Sequence, residues 1–229
     1  MTRVPKTGVL ITLEGTDGSG KSTQIKRLQE WLEERGITSL ATHEPGGTPL
    51  GERIRQCFLD VPLDAVDGKL EAMLVFAARR HHLRQVIWPA LAEGQVVLCD
   101  RFTDSTFAYQ GFGRGVELKE LASLDRWATG GAVPDLTLLF DVGSETAALR
   151  TQQAGAERAN NRLDREHGEF YRRVREGYRQ LSEQDPDRFR VIDASGSVEA
   201  TCDAAVEALA SWLRACDRLD KTNSLGDDL

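Results

Sequence analysis

A glycine-rich stretch between two regular elements constrains this 229-residue chain more than any other feature. Residues 14–23 read EGTDGSGKST, and the spacing Gly15-x-x-x-x-Gly20-Lys21-Ser22 is that of a phosphate-binding loop. In such a loop backbone N–H groups surround phosphate oxygens, the lysine reaches the β- and γ-phosphates, and the hydroxyl binds Mg²⁺. The apolar run VLITLE before the loop predicts a buried strand, and the amphipathic run TQIKRLQEWLEERG after it predicts a helix, which disfavours a merely flexible turn. The predicted ATP-binding residues are Gly15, Thr16, Asp17, Gly18, Ser19, Gly20, Lys21, Ser22 and Thr23.

Strand-like and helix-like segments alternate along the rest of the chain. This alternation predicts an α/β protein of the P-loop NTPase fold, with about five parallel strands and helices on both faces of the sheet. Ligands of such sheets bind at the carboxyl ends of the strands. We expect one domain over residues 1–216 and a disordered polar tail over 217–229. Further strands are predicted at 38–44, 95–100, 136–141 and 189–193, and helices at 50–59, 69–93 with a kink at Pro89, 116–128, 144–154 and 198–215.

Composition narrows the class of partner. The net charge of −7 argues against sequence-independent binding of nucleic acid, whereas a small anion needs only a local cationic pocket. No run approaches the ~18 apolar residues of a membrane span, so we expect no membrane partner. The four scattered cysteines lack metal-type spacing, and the first residues lack the apolar core of a signal peptide. These features predict a cytoplasmic location.

An acid and a base follow the predicted strand at 95–100. Asp100 ends this apolar run near the phosphate loop, where a carboxylate can hold Mg²⁺ together with Ser22, either directly or through water. The adjacent Arg101 can bind a phosphate through two parallel hydrogen bonds. An isolated Asp-Arg pair is more often a surface ion pair, but the continuation DRFTDSTFAYQGFGRG adds hydroxyl, aromatic and amide groups to the same loop.

Five stretches together resemble the bacterial thymidylate kinases (dTMP kinases) over roughly residues 8–213. They are EGTDGSGKST, EPGGTPLGERIR, FAARRHH, CDRFTDSTFAYQGFGRG and PDLTLLFD. The resemblance implies transfer of the ATP γ-phosphoryl group to dTMP, which gives dTDP and ADP in dTTP biosynthesis. It also implies a Mg²⁺ cofactor and a homodimer.

The same resemblance implies how the base is held. The thymine ring stacks on Phe76, and Arg80 reads a base carbonyl; residues four apart share one face of a helix. Arg79 is then expected to be a solvated neighbour. The adjacent His81 and His82 have no ligand-spaced partners and are expected on a solvated helix face as well. The other substrate-binding residues implied are Arg55 and Arg101 at the monophosphate, Asp17 at the sugar 3′-OH, Ser105 and Gln110 at the base, and Tyr109 against the 2′ position.

The predicted transition-state cation lies in a mobile, arginine-rich lid at about 154–166. Some thymidylate kinases carry an arginine inside the phosphate loop, where this chain has Gly18, so the resemblance points to the bacterial type with a lid arginine. Arg162 keeps the family position, although Asn161 replaces the usual acid before it. Arg158 and Arg165 remain alternatives. The predicted catalytic residues are therefore Lys21, Arg101 and Arg162.

Three other functions compete with this one at the level of sequence. A kinase for a deoxynucleoside or another monophosphate would share the phosphate loop, but two phosphate-binding arginines favour an acceptor that already carries phosphate. A GTPase switch would need an Asn-Lys-x-Asp motif, which the chain lacks. A nucleotide sensor without catalysis is disfavoured because Lys21, Ser22 and Asp100 are all present.

Overall fold

A five-stranded, all-parallel sheet forms the centre of the protein, as predicted. The computed structural model describes residues 7–60, 62, 66–143, 145–147, 149–150, 166 and 168–216. The strand order is β2-β3-β1-β4-β5, so the strand before the phosphate loop is central. The strands are β1 (Val9–Glu14), β2 (Ser39–His43), β3 (Val96–Asp100), β4 (Leu136–Asp141) and β5 (Phe189–Asp193).

Eight numbered helices surround the sheet in the described ranges. The predicted helix at 69–93 is divided by a π-helical turn, Leu83–Ile87, which lies before Pro89. Pro89 itself stands in the first turn of the next helix, where its missing N–H costs nothing. The helices are α1 (Lys21–Glu33), α2 (Pro49–Leu59), α3 (Gly68–His82), α4 (Trp88–Ala92), α5 (Thr103–Thr106), α6 (Leu118–Thr129), α7 (Gly168–Gln184) and α8 (Val198–Ala215).

Apolar side chains pack on both faces of the sheet, and the central strands are therefore buried. On one face Ile11 and Leu13 of β1 pack with Leu28 of α1 and Leu209 of α8. On the other face Leu10 packs with residues of β3 and of the turn Leu83–Ile87. This double burial is typical of a parallel sheet covered by helices, and it fixes the ends of β1 and β3 rigidly.

The carboxyl ends of β1, β2 and β3 meet above the sheet. The N–H of Arg101 donates to the carbonyl of Leu13 at 3.0 Å, and the N–H of Glu44 donates to the carbonyl of Asp100 at 2.9 Å. Arg101 has φ of 71°, which a non-glycine residue adopts only under strain. A strained arginine at the switch between strand and loop marks this edge as the functional one.

Two predictions concern residues outside this description. The lid at 154–166, apart from Glu166, and the tail at 217–229 lie outside the described residues, as does part of the helix predicted at 144–154. Among the described residues, no helix has the length and apolar character that crossing a bilayer requires.

Candidate active site

The phosphate loop joins β1 to α1 in a conformation that needs glycine. Gly15 has φ of 137°, and a Cβ at this position would overlap the carbonyl oxygen of Phe140. The loop closes around Lys21, whose Nζ donates to the carbonyls of Gly15 at 2.9 Å and Thr16 at 3.0 Å. The lysine therefore lies at the centre of the loop, as its predicted role requires.

Nearby carboxylates compensate the positive charge of Lys21 only in part. Burial, followed by the positive charge of Arg101, lowers the pKa of Lys21 from 10.5 to about 8. Nearby Asp100 and Asp17 oppose this shift but do not cancel it. A polyphosphate in the loop would supply the missing negative charge.

Ser22 and Asp100, the predicted metal ligands, lie side by side. Ser22 Oγ donates to Asp100 Oδ2 at 3.0 Å. Asp100 Oδ1 is buried and has no hydrogen-bond partner among the described residues. A hydroxyl next to a carboxylate with an unused oxygen is a donor set that suits Mg²⁺, which prefers oxygen ligands.

Arg101 connects the phosphate loop to the neighbouring cavity. Its Nη1 donates to the carbonyl of Gly15 at 3.1 Å, and its Nη2 donates to Asp17 Oδ1 at 2.9 Å. Tyr109 accepts from Nη2 at 3.1 Å and also donates its own hydroxyl to Asp17 Oδ2 at 3.1 Å. Burial opposes ionisation of Asp17, but Arg101 and Lys21 outweigh it and lower its pKa from 3.8 to about 2.

A cavity opens beside Arg101, and six of the predicted substrate residues line it. Arg55 lies on its wall, with Nη1 donating to the carbonyl of Pro45 at 2.9 Å. Burial, and then repulsion by Arg101, lowers the pKa of Arg55. Two cations that repel each other across a cavity form a site for an anion. The lining residues are Asp17, Glu44, Pro45, Arg55, Leu59, Val75, Arg79, Arg101, Phe102, Ser105, Thr106, Tyr109 and Gln110.

Ser105 belongs to a buried polar network below the cavity. Its Oγ donates to Glu14 Oε2 at 2.5 Å and lies 2.7 Å from the hydroxyl of Tyr178. Burial is the main reason that the pKa of Glu14 rises from 4.5 to about 7, and repulsion by Asp104 adds to it. This network supports Arg101 from below, because Tyr178 and Ser105 both contact Arg101 Nη1.

Arg79 lines the cavity and is buried, so the expectation that it is solvated was wrong. Its Nε donates to Glu44 Oε2 at 2.6 Å, and its Nη2 donates to the carbonyl of Phe102 and to Thr106 Oγ1, both at 3.0 Å. Its Nη1 is buried without a hydrogen-bond partner in the described part of the chain. The guanidinium is therefore held in one orientation, with one buried nitrogen that has no partner among the described residues.

Phe76 and Arg80 share a face of α3, but it is the face toward α6. Phe76 packs with apolar residues of α3 and α6, and Arg80 Nη1 donates to the carbonyl of Ala128 at 3.1 Å. The Arg80 guanidinium also lies 5.1 Å from the centre of the Trp88 ring. Neither residue is among those that line the cavity. The structure thus brings Arg79, rather than the predicted Arg80, to the cavity.

His82 is buried, which contradicts the expected solvated position. Its Nδ1 lies 3.0 Å from Glu44 Oε1, and its Nε2 lies 2.6 Å from Thr42 Oγ1. His81 is half-buried and contacts Thr48 Oγ1 at 3.1 Å. Both histidines therefore face the loop that follows β2 rather than solvent.

Gln110, predicted at the base, is one of the residues that line the cavity. Its Nε2 donates to the buried Glu71 of α3 at 2.8 Å. Arg114 completes this cluster by pairing with Glu71 at 3.1 Å and with Glu166. The amide of Gln110 is thus held in one orientation by a carboxylate behind it.

Similarity to known proteins identifies the family of the chain. The sequence profile of the family described as thymidylate kinase matches residues 13–205. The chain belongs to the thymidylate kinase family. A thymidylate kinase from Alkalilimnicola ehrlichii is 49% identical over 210 residues, which cover 90% of this chain and 96% of the relative. Those from Desulfovibrio desulfuricans and Pelotomaculum thermopropionicum are each 48% identical, over 87% and 92% of this chain and 95% and 99% of the relatives.

Sequence reasoning missed several buried residues around this family site, among them Glu14, Arg79, His82 and Tyr178. Only Glu14 had a local signal, because it ends the buried strand directly before the phosphate loop. Tyr178 comes from α7, far along the chain, and reaches Glu14 at 3.0 Å only through the fold.

Proposed function

We propose that the chain transfers the γ-phosphoryl group of ATP to dTMP, giving dTDP and ADP in dTTP biosynthesis. The observation that carries the proposal is the cavity between Arg55 and Arg101, which adjoins the phosphate loop. Its two cations suit an acceptor that already carries a phosphate group. The relatives described above are all named thymidylate kinase, and their name supplies the identity of that acceptor.

The base of dTMP is proposed to lie between Arg79 and Gln110. Arg79 Nη1 is a buried donor without a partner in the part of the chain that the structure describes, and such a donor suits a carbonyl oxygen of thymine. This proposal moves the carbonyl-reading role from Arg80 to Arg79, whereas stacking on Phe76 remains a prediction from resemblance. Tyr109 and Asp17, joined by a hydrogen bond, are proposed to contact the deoxyribose at its 2′ and 3′ positions.

ATP is proposed to bind the phosphate loop with Mg²⁺ held by Ser22 and Asp100, directly or through water. The ion would neutralise charge on the transferring phosphoryl group. The protein itself has little covalent chemistry to perform, because the acceptor phosphate oxygen is already anionic. Lys21 and Arg101 then act by position and charge: one lies within the donor loop, and the other reaches from that loop to the acceptor cavity.

A lid arginine remains the proposed third cation. Arg162 is the first candidate and Arg158 and Arg165 are the alternatives, and all three lie outside the described residues. Closure of the lid at 154–166 would exclude water, which competes with dTMP as acceptor.

Homodimerisation is proposed through α3 and α6, which pack against each other and expose apolar side chains. Trp127 of α6 is 82% exposed, and Met73 of α3 is 52% exposed. Exposed apolar surface of this kind marks an interaction site. Light scattering should give twice the chain mass of 25.3 kDa, and a monomeric mass for Trp127→Glu. We also propose a cytoplasmic location, since four free cysteines suit a reducing compartment.

The test of the proposed function is ADP release measured side by side with dTMP, dUMP, dCMP, dGMP and dAMP as acceptors. We expect the highest kcat/KM with dTMP. For dUMP, loss of one methyl contact should lower kcat/KM by about 10- to 100-fold. Lys21→Ala is the matched inactive control. A higher kcat/KM for dGMP or dCMP would refute the assigned acceptor.

A further inference from the structure

We propose that His82 is a positioning residue for the nucleotide acceptor, acting through Glu44 to hold Arg79 in place. The inference rests on the proposed function only for the identity of the acceptor. His82 is 0% exposed, Arg79 1% and Glu44 2%, so the three form a sealed unit between α3 and the loop after β2. Only Arg79 and Glu44 of the three reach the cavity wall.

The donor and the acceptor can be assigned in each hydrogen bond that His82 and Glu44 make. A carboxylate accepts hydrogen bonds, so the hydrogen between His82 and Glu44 is on Nδ1 of the imidazole. In the neutral ring, Nε2 then accepts from the hydroxyl of Thr42. Glu44 uses Oε1 for His82 and Oε2 for Arg79 Nε, so each of its oxygens has a fixed donor.

Loss of the His82 bond would alter how Glu44 holds the guanidinium. Arg79 Nε–H and Nη2–H lie on the same side of the planar group and match the two oxygens of a carboxylate. With Oε1 occupied by His82, Nη2 is left to donate to the carbonyl of Phe102 and to Thr106. Once released, Oε1 would compete for Nη2 and turn the guanidinium, which would move its free Nη1 relative to the cavity.

The backbone of the neighbouring loop provides a second contact with the same imidazole. Gly47 has φ of 70°, and a Cβ at this position would overlap the His82 ring. The ring therefore packs against the turn that leads from Pro45, at the cavity, into α2. This packing locates the imidazole, whereas the effect of His82 on Arg79 passes through Glu44.

Metal binding is the competing interpretation of this cluster. The ligand atoms of Glu44, His82 and Cys99 lie within 4.8 Å of one another. Every one of them already has a protein partner, since Cys99 Sγ donates to the carbonyl of Arg101 at 3.1 Å. Burial also raises the pKa of the Cys99 thiol well above 9.0, and the Arg79 guanidinium supplies the positive charge that Glu44 needs. The geometry favours positioning over metal binding.

Two amide variants separate the two bonds of His82. In His82→Asn the side-chain nitrogen is as many bonds from Cβ as Nδ1, so the contact with Glu44 is kept and that with Thr42 is lost. In His82→Gln the amide nitrogen corresponds to Nε2 and donates to the Thr42 hydroxyl, so the contact with Thr42 is kept with its direction reversed, and that with Glu44 is lost. Thr42→Val serves as the control that removes the Thr42 contact alone.

Steady-state kinetics and thermal unfolding are measured for all four proteins. We expect His82→Gln to raise KM for dTMP by about tenfold or more, with kcat and KM for ATP within about threefold of the wild type. His82→Asn and Thr42→Val should keep KM for dTMP within about threefold. Binding of dTMP measured by calorimetry should show the same order without turnover.

The outcomes distinguish positioning from simple structural support. If His82 only stabilised the fold, KM for dTMP would rise in each variant in proportion to its loss of melting temperature, whichever hydrogen bond was removed. Equal changes in KM for His82→Asn and His82→Gln would therefore overturn the inference. An unchanged KM in His82→Gln would overturn it as well. If the wild type prefers another nucleoside monophosphate, the proposed function is refuted but the role of His82 is not. The same variants then test that role with the preferred acceptor.

Discussion

Replacing Arg79 by lysine tests which of two adjacent arginines reads the acceptor. Lysine keeps a positive charge beside Glu44, but it has one nitrogen in place of the three of the planar guanidinium. It therefore cannot replace the bonds to Phe102 and Thr106 as well as the bond to Glu44 and the unpaired Nη1. Loss of the two hydrogen bonds that the charged guanidinium donates should lower the free energy of unfolding by about 3–6 kcal/mol. For a chain of this size the melting temperature should fall by roughly 6–24 °C.

Arg79→Lys should also weaken binding of the acceptor. A hydrogen bond from a charged donor is worth about 1.5–3 kcal/mol, so KM for dTMP should rise by about 10- to 100-fold. KM for ATP should stay within about threefold, because Arg79 does not touch the phosphate loop. The assay is ADP release with each substrate varied in turn, together with thermal unfolding.

Arg80→Lys is the matched control, one residue along the same helix. Arg80 contacts Ala128 and Trp88 outside the cavity, so its replacement should leave KM for dTMP within about threefold. The opposite result, with Arg80→Lys raising KM and Arg79→Lys leaving it unchanged, would refute the assignment from the structure and restore the assignment from the sequence.

Three further predictions concern phosphoryl transfer and stability. Lys21→Ala should lower kcat by about 10³-fold or more while circular dichroism stays unchanged; near-normal turnover would refute the phosphate-loop role. Arg162→Ala should lower kcat by at least about 10²-fold with little change in KM for dTMP, and Arg158→Ala and Arg165→Ala by less; the reverse order would move the role to another lid arginine. Glu14 has a folded pKa of about 7 against an ordinary 4.5, so the unfolded chain releases this proton at lower pH. The free energy of unfolding, relative to Glu14→Gln, should therefore decrease as pH rises from 4.5 to about 7 in urea titrations, and a constant difference would contradict this.

The parts of the site that follow directly from strands could be predicted from the sequence. Gly15 and Asp100 follow buried apolar runs, and neighbouring parallel strands necessarily bring their carboxyl ends together. The spacing of four also placed Phe76 and Arg80 correctly on one face of α3. Periodicity does not tell which face of a helix meets a cavity, however, because that depends on which helices pack on either side.

The buried polar residues of the site could not be predicted from the sequence. His82 and Arg79 are polar residues in a run that is typical of a solvated surface. Their pairing with Glu44, together with their other hydrogen bonds, offsets the cost of burying them. The partners are separated by 35 and 38 positions in the chain, so no local pattern records the pairing. Tyr178 and Glu14 are 164 positions apart and present the same difficulty.

The positive charges that lie close together at the phosphate loop and the cavity affect how stable the protein is when no nucleotide is bound. Burial, and then Arg101, lowers the pKa of both Lys21 and Arg55, so the empty folded state holds a repulsion that the unfolded chain does not have. An anion that enters between these cations binds only the folded state and stabilises it, by about 2.7 kcal/mol at a concentration 100 times its Kd. Chains without nucleotide therefore unfold, and are degraded, sooner than chains that hold it. The abundance of the protein would then follow the supply of its own substrates, without any separate regulator.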